Sequence, residues 1–148
     1  MIRTLQITDY NRWLELAGEV EPLFGSMVNS SDFQEGIKNC IENSNAYGVE
    51  TDGGCLAGII AIDRKNNEIL WLAVDKKFRG KGNAFQLVKK AIKEMEDNGD
   101  IFVQTFAKGI DEGIGARILY ERNGFVDLRN AGKNPAGIDT VIMVRKDN

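Results

Sequence analysis

The segment Leu72-Ala73-Val74-Asp75-Lys76-Lys77-Phe78-Arg79-Gly80-Lys81-Gly82-Asn83-Ala84 constrains this chain more than any other. An apolar strand runs into a loop with two glycines, and a strongly amphipathic helix starts directly behind it. Ala84, Leu87, Val88, Ala91, Ile92 and Met95 hold one helix face, while Lys89, Lys90, Lys93, Glu94 and Glu96 take the other. Asn98-Gly99 ends the helix, and Ile101–Phe106 reads as the next strand. Two strands joined through a helix call for a parallel pair inside a larger sheet. Glycines in such a loop let backbone N–H groups converge on one point at the positive end of the helix, a geometry suited to phosphate or pyrophosphate. Lys76, Lys77, Arg79, Lys81, Lys89, Lys90 and Lys93 supply seven of the chain's nineteen basic residues here. The competing reading is a surface loop with solubilising charges.

Composition removes several chemistries. The 148 residues suit a single domain spanning 1–148, and 43% hydrophobic content supplies a core. Nineteen basic residues against twenty-two acidic give a net charge of −3, which disfavours nucleic acid or an anionic membrane as partner. Histidine is absent, so Ser-His-Asp and Cys-His nucleophiles, HExxH zinc sites and a histidine base are excluded. Cys40 and Cys55 are too few for a disulfide framework, and the expectation is two reduced, buried, structural thiols. No metal is implied. The longest uncharged apolar stretch, Cys55 to Ile62, falls far short of the ~20 residues that span a bilayer, and Met1 to Gln6 has no signal-peptide core. A cytoplasmic protein is the expectation.

Around the central segment, Arg3–Ile7 reads as an edge strand. Trp13, Leu16, Ala17 and Val20 mark a helix after Thr8 or Asp9, which Pro22 and Gly25 would stop. Phe33, Ile37, Cys40 and Ile41 mark a second helix after Ser31-Asp32. Ala46–Thr51, Cys55–Asp63 and Glu68–Val74 follow as strands with short polar joins, hence antiparallel hairpins. A helix from Asp111 to Asn123 and strands Phe125–Arg129 and Thr140–Val144 complete the order β-α-α-β-β-β-α-β-α-β-β, an α/β (α+β) domain with a mixed sheet.

Known phosphate loops can be tested directly. Lys81 is followed by Gly82 and Asn83, so the Ser or Thr of a P-loop is missing. Phe85 stands where a dinucleotide fingerprint needs glycine. Arg79-Gly80-Lys81-Gly82-Asn83-Ala84 instead resembles the acyl-CoA loop of the GNAT N-acetyltransferase superfamily, [QR]-x-x-G-x-[GA], and Leu72-Ala73-Val74-Asp75 resembles the strand before it. About forty residues on, Ala116-Arg117-Ile118-Leu119-Tyr120-Glu121-Arg122-Asn123-Gly124-Phe125 resembles the family's A-x-x-L-Y-x-x-x-G-F segment. Lys76 replaces a frequent proline and Gly113 a frequent asparagine, which removes one side-chain contact to the cofactor. With the element order, the resemblance spans essentially the whole chain.

The resemblance implies a mostly antiparallel sheet of six to seven strands with about four helices, two strands splaying apart at an acyl-CoA cleft. It implies acetyl-CoA as co-substrate and transfer of acetyl to a primary amine by direct attack through a tetrahedral intermediate. Cofactor-binding residues would be Leu72, Ala73 and Val74, with Leu72 and Val74 offering backbone groups to the thioester and pantetheine arm. Arg79, Gly80, Lys81, Gly82, Asn83 and Ala84 would hold the pyrophosphate. Tyr120 would donate a hydrogen bond to the departing sulfur; with pKa values of about 10 for a phenol and 8.5 for a thiol, full proton transfer is uphill. Glu68 is the candidate base, needing a raised pKa or an intervening water, with Glu19 and Glu21 behind it. Trp13 and Trp71 read as core or pocket wall. Glu21–Asp32 and Asn130–Ile138 should line the acceptor side, where a small-molecule or peptide amine remains open. The sequence does not fix the oligomeric state; a homodimer is the commonest soluble assembly. The alternatives are a non-catalytic acyl-CoA sensor and an RNA-binding domain, the latter opposed by the acidic balance and the lack of aromatics between the basic residues.

Overall fold

The structure, a computed structural model, describes residues 1–147. Seven strands form one sheet: β1 (Ile2–Thr4), β2 (Ala46–Glu50), β3 (Leu56–Asp63), β4 (Glu68–Val74), β5 (Ile101–Phe106), β6 (Phe125–Lys133) and β7 (Asp139–Arg145). Their spatial order is β1-β2-β3-β4-β5-β7-β6, with every neighbour antiparallel except β4 and β5. The four helices are α1 (Tyr10–Phe24), α2 (Ser31–Glu42), α3 (Asn83–Met95) and α4 (Ile114–Arg122). Order, strand count and the parallel β4–α3–β5 unit agree with the sequence reading.

The apolar run before Asp63 becomes the central strand because both of its faces are covered. Ile60 and Ile62 pack on one side with Leu87, Val88, Met95, Val103 and Phe125. Ile59 and Ala61 pack on the other with Trp13, Leu16, Ile37 and Ile41. A strand buried on both faces carries a continuous apolar run instead of an alternating one.

Several boundaries differ from expectation. The edge strand ends at Thr4, and Ile7–Asp9 turn as a 3-10 helix because the Asp9 carboxylate accepts from the Gln6 amide and from Arg3. Pro22 lies inside α1, which continues to Phe24. Gly25 closes it through Glu21, and Asn134 Nδ2 donates to the Leu23 carbonyl at 2.8 Å, so the last turn finds partners beyond the proline. Ser30 caps α2, its hydroxyl accepting from the Phe33 amide. Cys55 is exposed: the strand starts only at Leu56, leaving the cysteine at the Asp52-Gly53-Gly54 turn. Cys40 is half-buried, and burial raises its thiol pKa.

Gly113, the departure from the family pattern, has a packing cause. A Cβ there would sit 2.6 Å from the Phe106 Cβ, so glycine permits the close contact between the start of α4 and the end of β5. Arg117, buried in α4, ties that helix to the Phe106 carbonyl and to Asp127 of β6.

Past the C-terminal end of β4, Arg12 of α1 donates to the Leu56 carbonyl and, at 2.8 Å, to the Asp75 carboxylate. Asp75 is buried and also accepts from the Lys77 amide, so the turn that launches the glycine loop is fixed to α1. The Arg12 guanidinium, helped by that amide, holds the Asp75 carboxyl below the usual carboxylate range. A depressed folded pKa contributes stability above the unfolded value of about 3.9, and the contribution is lost as pH falls through the folded one. Arg12→Gln should therefore cost about 3 kcal/mol or more near neutral pH by leaving a buried carboxylate unpaired. The gap to the parent, read as urea midpoints, should narrow below about pH 4. A gap independent of pH would show that Arg12 acts through packing alone.

Candidate active site

The parallel pair is closed at one end and open at the other. β4 and β5 are paired only at Glu68↔Phe102 and Ile69↔Val103. Immediately beyond, β4 carries a bulge: Ala61 of β3 faces Trp71 while Ile62 faces Ile69, leaving Leu70 without a partner and 47% exposed. A bulge bends its strand, and here the bend carries β4 away from β5. The closed end is held by Asn67, whose Nδ2 donates to the carbonyls of Met95, Gly99 and Asp100.

The splay opens a cavity of about 240 Å³ between Ile69–Leu72 of β4 and Val103–Phe106 of β5, with Tyr120 and Ala116 of α4 in its wall. Val74 of β4 has no β5 partner, and its carbonyl accepts from Arg79 Nε at 3.2 Å. The two-residue alternation of a strand turns the Leu72 backbone groups to that same free side and those of Ala73 toward β3, where Ala73 pairs with Ile59. Of the three candidate residues, Leu72 and Val74 therefore present backbone to the splay.

A second cavity, about 470 Å³, continues along β4 past Val74. Arg79, Gly80, Gly82, Asn83 and Ala84 form one side, and Gly115, Ile118, Leu119 and Arg122 of α4 the other. Gly80 and Gly82 have φ of 76° and 81°, the left-handed region that favours glycine, and nothing lies within 4 Å of a Cβ built on either. They are demanded by backbone direction, and the space they leave is open. Gly82 caps α3 with no side-chain hydrogen bond, so the first amides of α3 are not consumed by a capping side chain. Asn83 Nδ2 donates to the Phe78 carbonyl and fixes the loop, and the Lys81 ammonium lies over the Phe78 ring, 5.9 Å from its centroid. Lys81 is not in the cavity wall. Arg122 also borders a hollow of about 830 Å³ that contains Lys89, Lys93, Arg145 and Lys146 against one acid, Glu96. Of the basic residues clustered in the sequence, Lys89 and Lys93 line this hollow.

Tyr120 is buried, its ring 5.6 Å from that of Phe125, and burial alone raises its phenol pKa far above the ordinary value. It keeps its proton at any working pH. Glu68 stands at the closed end, four residues and about 13 Å along the strand from Leu72, outside the cavity walls. Burial, and secondarily the charge of Asp63, raises its carboxyl pKa. Glu21 is occupied otherwise: its carboxylate accepts from the Met27 and Val28 amides at 2.7 and 2.9 Å, shaping the α1–α2 loop. Glu19 has one carboxylate oxygen buried without a partner and also lies outside the walls.

The expected acceptor-side segments do reach the site. Phe24 and Met27 come from one and Asn134 from the other, and Gly25 meets Pro135 where the two loops cross. The sequence reading missed Phe106, which stacks on Phe24 with centroids 5.2 Å apart, and Gln104, Thr105 and Thr140 of the wall. They look like ordinary strand residues, and only the splay exposes them. Arg122 was legible as one more basic residue in the second family-like segment.

Residues 16–146 match the acetyltransferase (GNAT) domain. No curated protein sequence matches the chain. Among solved structures, the chain is similar to one in the NatC complex bound to Gag peptide and CoA, at 19% identity and a TM-score of 0.78, over 99% of this chain and 97% of that one. It is also similar to the PaiA N-acetyltransferase of Thermoplasma acidophilum in complex with coenzyme A (21%, 0.73, covering 99% and 98%). The spermidine N-acetyltransferase of Vibrio cholerae in complex with CoA and spermine is a further likeness (20%, 0.73, 99% and 95%). Identities this low carry the fold alone, but the domain match covers most of the chain and coincides with the splay, the glycine loop and Tyr120: the protein belongs to the GNAT acetyltransferase family.

Proposed function

We propose that the protein transfers acetyl from acetyl-CoA to a primary amine by direct attack. The observation that carries this reading is the single wall formed by Tyr120 and the free edge of β4, continuous with an open, positively biased loop at its far end. The residues present fit the co-substrate. The amides of Gly80, Gly82, Asn83 and Ala84 hold the pyrophosphate at the positive end of α3, and Arg79 steadies the loop against Val74. Leu72 and Val74 offer backbone groups to the pantetheine arm. Arg122 lies where the cationic hollow meets the loop cavity and, with Lys89 of the hollow, suits the remaining phosphate.

Acetyl-CoA supplies an activated carbonyl and a stable leaving thiolate. The Tyr120 hydroxyl donates to the sulfur as its charge develops; with its pKa raised by burial, the phenol acts as a donor and full proton transfer is secondary. Glu68 serves as base only through a water relay, given its place at the closed end; its raised pKa is the direction a base needs. Glu68→Gln should leave CoA binding intact and lower kcat/KM near pH 7, with the loss shrinking by pH 9.5 as the amine deprotonates in solution. An equal loss at both pH values would assign Glu68 a structural role.

CoA and acetyl-CoA should raise thermal stability by about 2.7 kcal/mol at about 100 Kd. Gly82→Asp should abolish the rise, since it sets a carboxylate where phosphate must lie and a Cβ at a φ of 81°. Normal CoA binding by this variant would move the phosphate site elsewhere. Binding without CoA release on any amine would favour a sensor over an enzyme.

Tyr120→Phe keeps the ring against Phe125 and removes the hydroxyl. An interaction made only in the transition state lowers kcat with little change in KM. One charge-assisted hydrogen bond of about 1.5–3 kcal/mol corresponds to a roughly 10- to 150-fold loss in kcat. Release of free CoA thiol measures it. Full activity at unchanged Tm would make Tyr120 a packing residue.

A further inference from the structure

A pocket of about 250 Å³ lies on the α1–α2 side of the sheet, between Phe33, Gly36 and Ile37 of α2 and the outer face of β4. Leu70 and Trp71 line both this pocket and the splay cavity, so the two are neighbours across the bulge. We propose that the acceptor is a primary amine bearing a bulky apolar group: the amine enters the splay beside Tyr120, and the apolar group passes over Leu70 and Trp71 into the α2 pocket. The inference rests on the acetyl-transfer reading above and adds the class of acceptor.

Three observations select this class. The pocket is paved by Trp13, Trp71, Phe33 and Ile37, and an engineered apolar cavity of about 150 Å³ already admits benzene, so one aromatic or branched aliphatic group fits. Leu70, the unpaired bulge residue, is 47% exposed between the two cavities, an apolar bridge that such a group would cover. Carboxylates are scarce. Asp32, in the first turn of α2, is the sole acid lining either cavity, and Glu21 is held by backbone amides. A polyamine carries several charges and needs several opposed carboxylates; one rim carboxylate does not supply them.

Gly36 allows the pocket to be closed selectively. It is exposed in α2, lines the pocket, and nothing lies within 4 Å of a Cβ built on it, so the backbone accepts a side chain there and Gly36→Phe brings a ring to the pocket mouth. With the full chain and acetyl-CoA, phenethylamine and isoamylamine should exceed ethylamine in kcat/KM by roughly 10- to 100-fold, the worth of burying one apolar side chain. Spermidine should show no such gain. In Gly36→Phe the phenethylamine-to-ethylamine ratio should fall toward one, while the CoA-induced rise in melting temperature reports an intact fold and loop. Equal rates on phenethylamine and ethylamine, or a ratio unchanged in Gly36→Phe, overturn the inference and leave acetyl transfer standing. Absence of any CoA-induced shift in the parent overturns acetyl transfer itself. Trp13 and Trp71 are the only tryptophans in the chain and both line the pocket, so their fluorescence reads occupancy without turnover. Phenethylamine at millimolar concentration should perturb that fluorescence in the parent and much less in Gly36→Phe; a silent parent or an identical response in both overturns the inference.

Discussion

One unpaired residue, Leu70, sets the geometry on which everything else in the site depends. Parallel strands joined through a helix would ordinarily stay in register along their length and bury the edge between them. Here Asn67 closes the pair at its start by gathering three carbonyls from the end of α3 and the approach to β5. The bulge two residues past the first pairing then turns β4 out of register with β5. The hydrogen-bonding groups that β5 would have taken are left facing a cavity, and α4 roofs that cavity with Tyr120. An extended ligand with amide groups is the natural substitute for the missing strand partner.

The charge distribution follows the same axis. The chain as a whole is acidic, yet the wall from the glycine loop to the end of α4 is cationic: Arg79, Lys89, Lys93, Arg122, Arg145 and Lys146. The positive end of α3 adds to them at the point where Gly82 leaves the first amides uncapped. Further back along β4 the splay wall carries no charged residue, and the α2 pocket beside it is mostly apolar and aromatic. The Arg12–Asp75 pair ties α1 to β3, through the Leu56 carbonyl, and to the turn that leads into the loop.

Much of this was legible in the residues. The order of elements follows from periodicity, because α3 and β5 each bury a regular face, and the glycine loop from two residues whose φ no other side chain adopts cheaply. What escaped is what depends on neighbours. Pro22 sits in the last turn of α1 without ending it, and the Leu23 carbonyl beyond it is met by Asn134, more than a hundred residues away. Cys55 belongs to an apolar run by composition but to a turn by register. The bulge at Leu70 leaves no mark in a uniformly apolar strand, so the residues it exposes, Gln104 and Thr105 among them, gave no signal.

Phe106 shows how the two sides of the site are joined. It stacks on Phe24, at the end of α1, and presses so closely on Gly113 that no Cβ fits there. The same ring thus fixes the mouth of the acceptor side and the start of α4, the helix that carries Tyr120 and Arg122. Contact with Phe106 leaves no room for a side chain at position 113. Phe106 thus joins the two walls directly: Phe24 stacks on its ring, and its Cβ and ring atoms abut Gly113 just before the helix that carries Tyr120.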